Sequence, residues 1–192
     1  VGAITLIDAD SVSVTNLHRQ VLFGPDDVGK RKVDVAASAL GARAPWARIT
    51  PVDLRLTDAN AADALAGHDV VLDCTDTWLS RYIVADATRA LGIPLVWGAV
   101  QGWFGQVTVF DDRTGLRELF PAEPEADLAV CEGGGVLGTL CGQVGTAMAT
   151  QAVLVLTGAA QGREAGLRGQ LTVLDARTGQ WRTIPVAGAR DA

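Results

Sequence analysis

Short apolar runs, each followed by a longer helix-favouring stretch, alternate along the first half of the chain. Ala3 to Asp8 is apolar, short and closed by an acid, the form of a strand buried on both faces of a parallel sheet. Asp10 to Asp27 is rich in turn formers. Lys30 to Ala44 is alanine-rich and reads as a helix stopped at Ala44-Pro45. Ile49 to Leu54 alternates apolar and polar residues, as a second strand does. Asp58 to Gly67 predicts a short helix with Thr57 or Asp58 as N-cap and Gly67 as its stop. Asp69 to Asp73 is a third strand, Leu79 to Leu91 a helix closed by Gly92-Ile93-Pro94, and Leu95 to Gly98 a fourth strand.

That repetition is the mark of a parallel sheet with helical crossovers. The pattern then changes. Gly105 to Phe110 alternates, with Val107 and Val109 on one face. Asp111 to Glu132 is charged, proline-bearing and irregular, and loops of that length in compact domains are usually functional or mobile. Val136 to Leu156 predicts a long apolar helix of small residues. Gly169 to Leu174 and Trp181 to Val186, joined through Arg177-Thr178-Gly179-Gln180, predict a closing hairpin. The expected fold is α/β: a Rossmann-like, largely parallel sheet with helical crossovers and a C-terminal antiparallel strand region. The expected organisation is one domain over residues 1–192 with a crossover loop at 111–132.

Composition adds exclusions. The chain has 192 residues, 48% of them hydrophobic, with 20% charged and a net charge of −6. Its sixteen basic residues form no long run, which argues against nucleic acid as a partner. No apolar run approaches bilayer-spanning length and no signal peptide is evident, so a cytoplasmic location away from membranes is expected. Three cysteines, Cys74, Cys131 and Cys141, are too few and too widely spaced for a disulfide framework or a zinc site. Cys74 and Cys141 lie in apolar runs and read as core. His18 and His68 read as surface residues.

The chemistry lies at the strand ends and helix starts. Asp8, Asn16, Arg19, Gln20, Lys32 and Asp76 occur in that order, each near the end of a strand-like run or the start of a helix-like one. In an open α/β sheet such ends converge on one crevice. Asp8 suits ribose hydroxyls. Arg19 offers a planar fork and Lys32 a compact charge for phosphate oxygens, with Asn16 as an amide donor and Gln20 orienting the arginine or folding the loop. Asp76 suits a magnesium ion or the N-cap of the helix near Leu79. Asp73 reads as structural, and Asp10 as turn support without a direct role. This inventory handles ATP rather than a hydride.

The runs carrying these residues are specific. Asp8, Asp10, Val12, Asn16, Leu17, Arg19 and Gln20 match D-x-D-x-V-x-x-x-N-L-x-R-Q. Val28, Gly29 and Lys32 match V-G-x-x-K, and Asp73, Cys74, Thr75 and Asp76 match D-C-T-D-N up to Thr77. With Gly98-Ala99 and Gly105-Gln106-Val107, these motifs resemble the MoeB/ThiF/HesA family, bacterial relatives of ubiquitin-activating enzymes. The resemblance covers almost the whole chain. It implies an adenylyltransferase that uses ATP and magnesium to adenylate the C-terminal Gly-Gly of a ubiquitin-like sulfur carrier, in molybdopterin or thiamine-type biosynthesis. It also implies a homodimer and catalytic roles for Arg19, Lys32, Asp76 and Cys131. Cys131 precedes a glycine run and a helix start, where a thiol loses its proton more readily. In the family, a cysteine at this junction can form a covalent link with the carrier.

Three departures accompany the resemblance. The family's glycine-rich phosphate loop precedes the first strand and is expected upstream of Val1. The zinc-binding Cys-x-x-Cys pairs are missing where they should lie, with Gly115 and Glu118 in place of the first, so zinc is not expected. Thr77 and Trp78 replace the residues that usually follow the acid. Two other readings compete: a nicotinamide-dependent oxidoreductase on a Rossmann fold, and a non-catalytic scaffold of the same family. Trp97, Trp103 and Phe104 form a candidate carrier-docking face.

Overall fold

The computed structural model describes residues 1–124, 135–159 and 166–186. The chain divides into two compact units, Val1–Arg55 and Leu56–Ala192.

In the first unit, β1 (Ala3–Ile7) pairs in parallel with β2 (Arg48–Val52), and α1 (Lys32–Arg43) packs against both. The ladder runs from Ala3 opposite Arg48 to Ile7 opposite Val52, and the Asp8 N–H extends it by donating to Val52 O at 3.2 Å. The turn-rich stretch contains two short 3-10 helices, Val14–Asn16 and Pro25–Asp27. Val12, Val33 and Ala36 form the buried interior. Gly29 sits at φ +87°, a left-handed conformation in which a side chain is strained, and its N–H donates to Val12 O at 2.9 Å. That turn brings residues 30–32 back beside β1, where Val12 N–H donates to Lys30 O. The V-G-x-x-K spacing thus has a backbone reason.

The second unit holds a five-stranded sheet in the order β3-β4-β5-β6-β7. Its strands are β3 (Val71–Asp73), β4 (Leu95–Gln101), β5 (Phe104–Phe110), β6 (Gln170–Asp175) and β7 (Gln180–Pro185). β3 and β4 are parallel, joined through α3 (Trp78–Leu91), whose end is closed by Gly92 at φ +68°. The other neighbours pair antiparallel, so the C-terminal antiparallel region is found where expected and the closing hairpin within one residue of its predicted bounds. α2 (Ala61–Leu65) packs on α3. It begins later than expected, with Asn60 rather than Thr57 or Asp58 at its N-cap. The Asn60 carboxamide oxygen is spent on the Thr57 N–H at 2.8 Å. The segment after β5 contains one helical turn, α4 (Leu116–Leu119).

α5 (Gly138–Thr157) lies against β4 and β5. Leu140, Val144, Met148 and Ala152 recur every four residues and are buried with Val96, Val107, Val109 and Leu174. The close approach needs Gly98 and Gly105, because a Cβ on Gly105 would stand 2.5 Å from Val144 Cγ2 and one on Gly98 would overlap Met148. By length and composition α5 is long and apolar enough to cross a membrane, which corrects the expectation that no such run exists. Its glycines, alanines and threonines dilute the apolar signal by eye, but it carries no charge over twenty residues. Its apolar stripe is used in packing against the sheet.

Candidate functional site

In the first unit the strand end and the helix start are tied through one residue. Asp10 N–H donates to Asp8 Oδ1 at 2.7 Å, turning the chain sharply after β1. Asp10 O accepts the Lys32 N–H at 3.0 Å, satisfying one of the donors that a helix start leaves unpaired. Its carboxylate receives Lys32 Nζ at 3.2 Å and Arg55 Nη2 at 3.1 Å. Next to this group, Arg31 pairs with Asp53 at 2.8 Å and donates to Ala9 O at 2.9 Å. The Lys32 side chain is only 11% exposed. An exposed lysine on a first helical turn, the ordinary alternative, does not describe it.

Asn16, Arg19 and Gln20 share the turn after the first 3-10 helix. The N–H groups of Arg19 and Gln20 both donate to Asn16 O, at 3.0 and 2.9 Å. Arg19 Nη1 donates to Thr15 O at 3.1 Å, so the guanidinium is fixed by backbone, and no bond from Gln20 orienting it is present. Gln20 Oε1 is buried without a hydrogen-bond partner, an unusual state for a polar atom. A depression of about 530 Å³ in the same unit is lined by Leu22, Asp27, Lys30, Arg31 and Asp34, and none of the six predicted polar residues lines it.

The second unit carries the D-C-T-D segment at the end of β3. Asp73 is buried, and Thr75 N–H donates to its Oδ1 at 2.8 Å while Oδ2 has no partner. Burial pushes the Asp73 carboxyl above its ordinary range, opposed by the Thr75 hydrogen bond and the Arg81 charge. Arg81 is buried too. Its Nε donates to Thr75 O at 3.3 Å, and its guanidinium lies over the Trp78 and Trp97 rings at 4.8 and 5.8 Å. Desolvation lowers the Arg81 pKa against the pull of Asp73 and Asp76.

Asp76 is exposed. It is not the N-cap of α3: Thr77 is, accepting the Ser80 N–H at 3.2 Å. The departure from D-C-T-D-N is therefore a change from one good capping residue to another, which frees Asp76 from that duty.

Several expectations need correction. Cys74 is exposed and Cys141 half-buried, so neither is a core residue; the alternation at the end of β3 turns Cys74 away from buried Asp73. His68 is half-buried, with Nδ1 bonded to Leu65 O. Trp97 is fully buried, while Trp103 and Phe104 are exposed, so these three residues do not form one face. Cys131 lies outside the described residues. Sequence reasoning also passed over Arg81, whose spacing of five from Asp76 was the available signal, and gave too little weight to Asp10.

The sequence model of the ThiF family matches residues 1–192. The chain belongs to the ThiF family. Among similar ThiF-family proteins, the sulfur carrier protein adenylyltransferase of Thermus thermophilus is 39% identical, over 97% of this chain and 70% of its own length. The probable adenylyltransferase/sulfurtransferase MoeZ of Mycobacterium tuberculosis is 38% identical, over 97% of this chain and 48% of its own length. The chain thus spans about half the length of MoeZ. Among solved structures, E. coli MccB with ATP superposes with a TM-score of 0.79 at 16% identity, covering 97% of this chain and 57% of that one. That likeness carries the Rossmann-type fold of the ThiF family.

Proposed function

We propose that this ThiF-family chain adenylates the C-terminal glycine of a small ubiquitin-like sulfur carrier. The carboxylate of the carrier attacks the α-phosphorus of ATP, the bond to the β-phosphate oxygen breaks, and pyrophosphate leaves behind an acyl-adenylate. The observation that carries the reading is the strand-end acid Asp8 joined through Asp10 to the largely buried ammonium of Lys32. The printed names of two relatives, a sulfur carrier protein adenylyltransferase and a SAMP-activating enzyme E1 from Haloferax volcanii, support it.

In this reading Asp8 accepts hydrogen bonds from the ribose. Asn16, Arg19 and Lys32 bind phosphate oxygens, and Gln20 completes their turn. As negative charge builds on the non-bridging oxygens and on departing pyrophosphate, fixed cations stabilise it more than they stabilise the ground state. Magnesium would be held by Asp76. An exposed carboxylate relieved of capping fits an ion that keeps its waters and takes substrate phosphates, since magnesium commonly binds through one or two carboxylates. Among the described residues no group of three or more acids, cysteines or histidines could hold a metal by itself, which agrees with shared coordination of that kind. A homodimer and a cytoplasmic location belong to the same reading.

The test is carrier-dependent exchange of labelled pyrophosphate into ATP by the intact protein. Exchange that is present in the wild type and abolished in Asp76→Ala supports the reading. Exchange unchanged in that variant rejects the site. Failure of an ATP-binding protein to exchange with any carrier ending in Gly-Gly rejects the reaction.

A further inference from the structure

We infer that Asp10 is a positioning residue for Lys32, and that it aims the ammonium without cancelling its charge. The inference rests on the adenylation reading above. A lysine ammonium sits on a flexible four-carbon stem that carries about 2 kcal/mol of rotamer entropy, so an unheld lysine is poorly placed to meet a phosphate. Here the stem is largely covered and the ammonium ends on Asp10 Oδ2 at 3.2 Å. The same residue fixes the start of α1 by accepting the Lys32 N–H, and it orients Asp8 by donating its own N–H to that carboxylate. One residue therefore holds the ribose acid, the helix start and the phosphate cation in a single frame.

An exclusive ion pair with Asp10 would neutralise Lys32. The second cation prevents this. Arg55 takes Oδ1 of the same carboxylate at 3.1 Å, so the three groups together hold two positive charges and one negative. The trio keeps a net charge of about +1 at neutral pH for an incoming anion, while the geometry of Lys32 stays fixed. Each oxygen of Asp10 has one cation, and the carboxylate is half exposed, so water screens the attraction enough for the ammonium to accept a phosphate oxygen as a further partner.

The test is a double-mutant cycle between Asp10→Asn and Lys32→Ala in the intact protein. Asparagine keeps the backbone bonds and the shape of residue 10 and removes only the charge. The readouts are equilibrium ATP binding, kcat for pyrophosphate exchange, and the rate at which an amine-acylating reagent labels Lys32 without nucleotide. Asp10→Asn is expected to lower kcat on the order of tenfold, the scale of one charge-assisted hydrogen bond, and to speed labelling of Lys32. The double variant is expected to match Lys32→Ala within about twofold, because residues that act through one another do not add.

Losses that multiply in the double variant would mean that Asp10 only supports the turn, and would overturn the inference. So would unchanged labelling of Lys32, or tighter ATP binding by Asp10→Asn, which would make Asp10 a competitor of phosphate. A wild type that binds no ATP overturns the adenylation reading and this inference together. A wild type that binds ATP while the cycle proves additive overturns this inference alone.

Discussion

Arg81 lies over the Trp78 ring, its Cζ 4.8 Å from the centroid, while its Nε holds the Thr75 carbonyl. The loop that carries Asp76 is thus tied to α3 by a cation that is itself desolvated and sandwiched by indoles. Arg81→Ala removes the nearest positive charge from buried Asp73 as well as the stacking. Losing one partner of a buried charged group costs about 3–5 kcal/mol, so a loss at the lower end of that range is expected in urea unfolding, since Asp73 is able to take up a proton. Arg81→Lys should recover part of it. An Arg81→Ala protein of wild-type stability would show that the stack is incidental.

Asp73 gives a pH-dependence of defined sign. Its folded-state pKa lies above the ordinary 3.8 because burial outweighs the Thr75 hydrogen bond and the Arg81 charge. Between the two values the folded state holds the proton more tightly than the unfolded one, so the contribution of Asp73 to stability is complete below the ordinary value and is lost as pH rises through the folded value. Asp73→Asn stays neutral throughout. The stability of wild type minus that of Asp73→Asn should therefore fall from about pH 4 upward and then level off. A difference that climbs with pH would reverse the assignment.

The contact of α5 with the sheet predicts an asymmetry between two glycines. At Gly105 a new Cβ meets Val144 Cγ2, which is branched at Cβ and cannot swing clear on a helix. At Gly98 it meets the thioether of Met148, an adaptable side chain. Gly105→Ala should cost about 1–3 kcal/mol, the range of overpacking, and Gly98→Ala less. Thermal unfolding of the two variants decides it, and the reverse order would contradict the packing described.

Trp97 and Trp103 should behave differently although only six residues apart. Trp97 is fully buried against Phe110 and Phe120. Trp97→Ala should therefore cost about 3–5 kcal/mol, whereas Trp103→Ala, at a turn between β4 and β5, should stay within about 0.5 kcal/mol. If carrier affinity drops in Trp103→Ala at unchanged stability, the exposed part of the proposed docking face is supported.

Much of this was legible in the sequence because short buried strands and capped helices leave strong local marks. β1 and the α3–Gly92 stop are of that kind, and so is the closing hairpin with its turn residues. The D-x-D and D-C-T-D runs likewise marked chain turns correctly. What escaped depends on contacts distant in sequence. Arg81 reads as an ordinary helical arginine until Trp97, sixteen residues on, is folded beneath it. Asp10 reads as turn support until Arg55 and Lys32 close on its two oxygens. Trp97 and Phe104 look like one aromatic cluster, but they lie on different strands with different cover, and only pairing to β5 and β6 sorts them. The N-cap of α3 was misplaced by one residue because Asp76 and Thr77 are both good caps, and only geometry chooses.

The last strand has one more consequence. All six residues of β7 are exposed, and among the described residues no strand pairs with its outer edge. A row of open amide and carbonyl groups bearing Trp181 and Ile184 is a template on which another chain can crystallise into fibrils. Arg182 in its middle and Pro185 at its end act as gatekeepers there. Replacing Arg182 by an apolar residue would leave the monomer's folding largely intact and shorten its shelf life in concentrated solution.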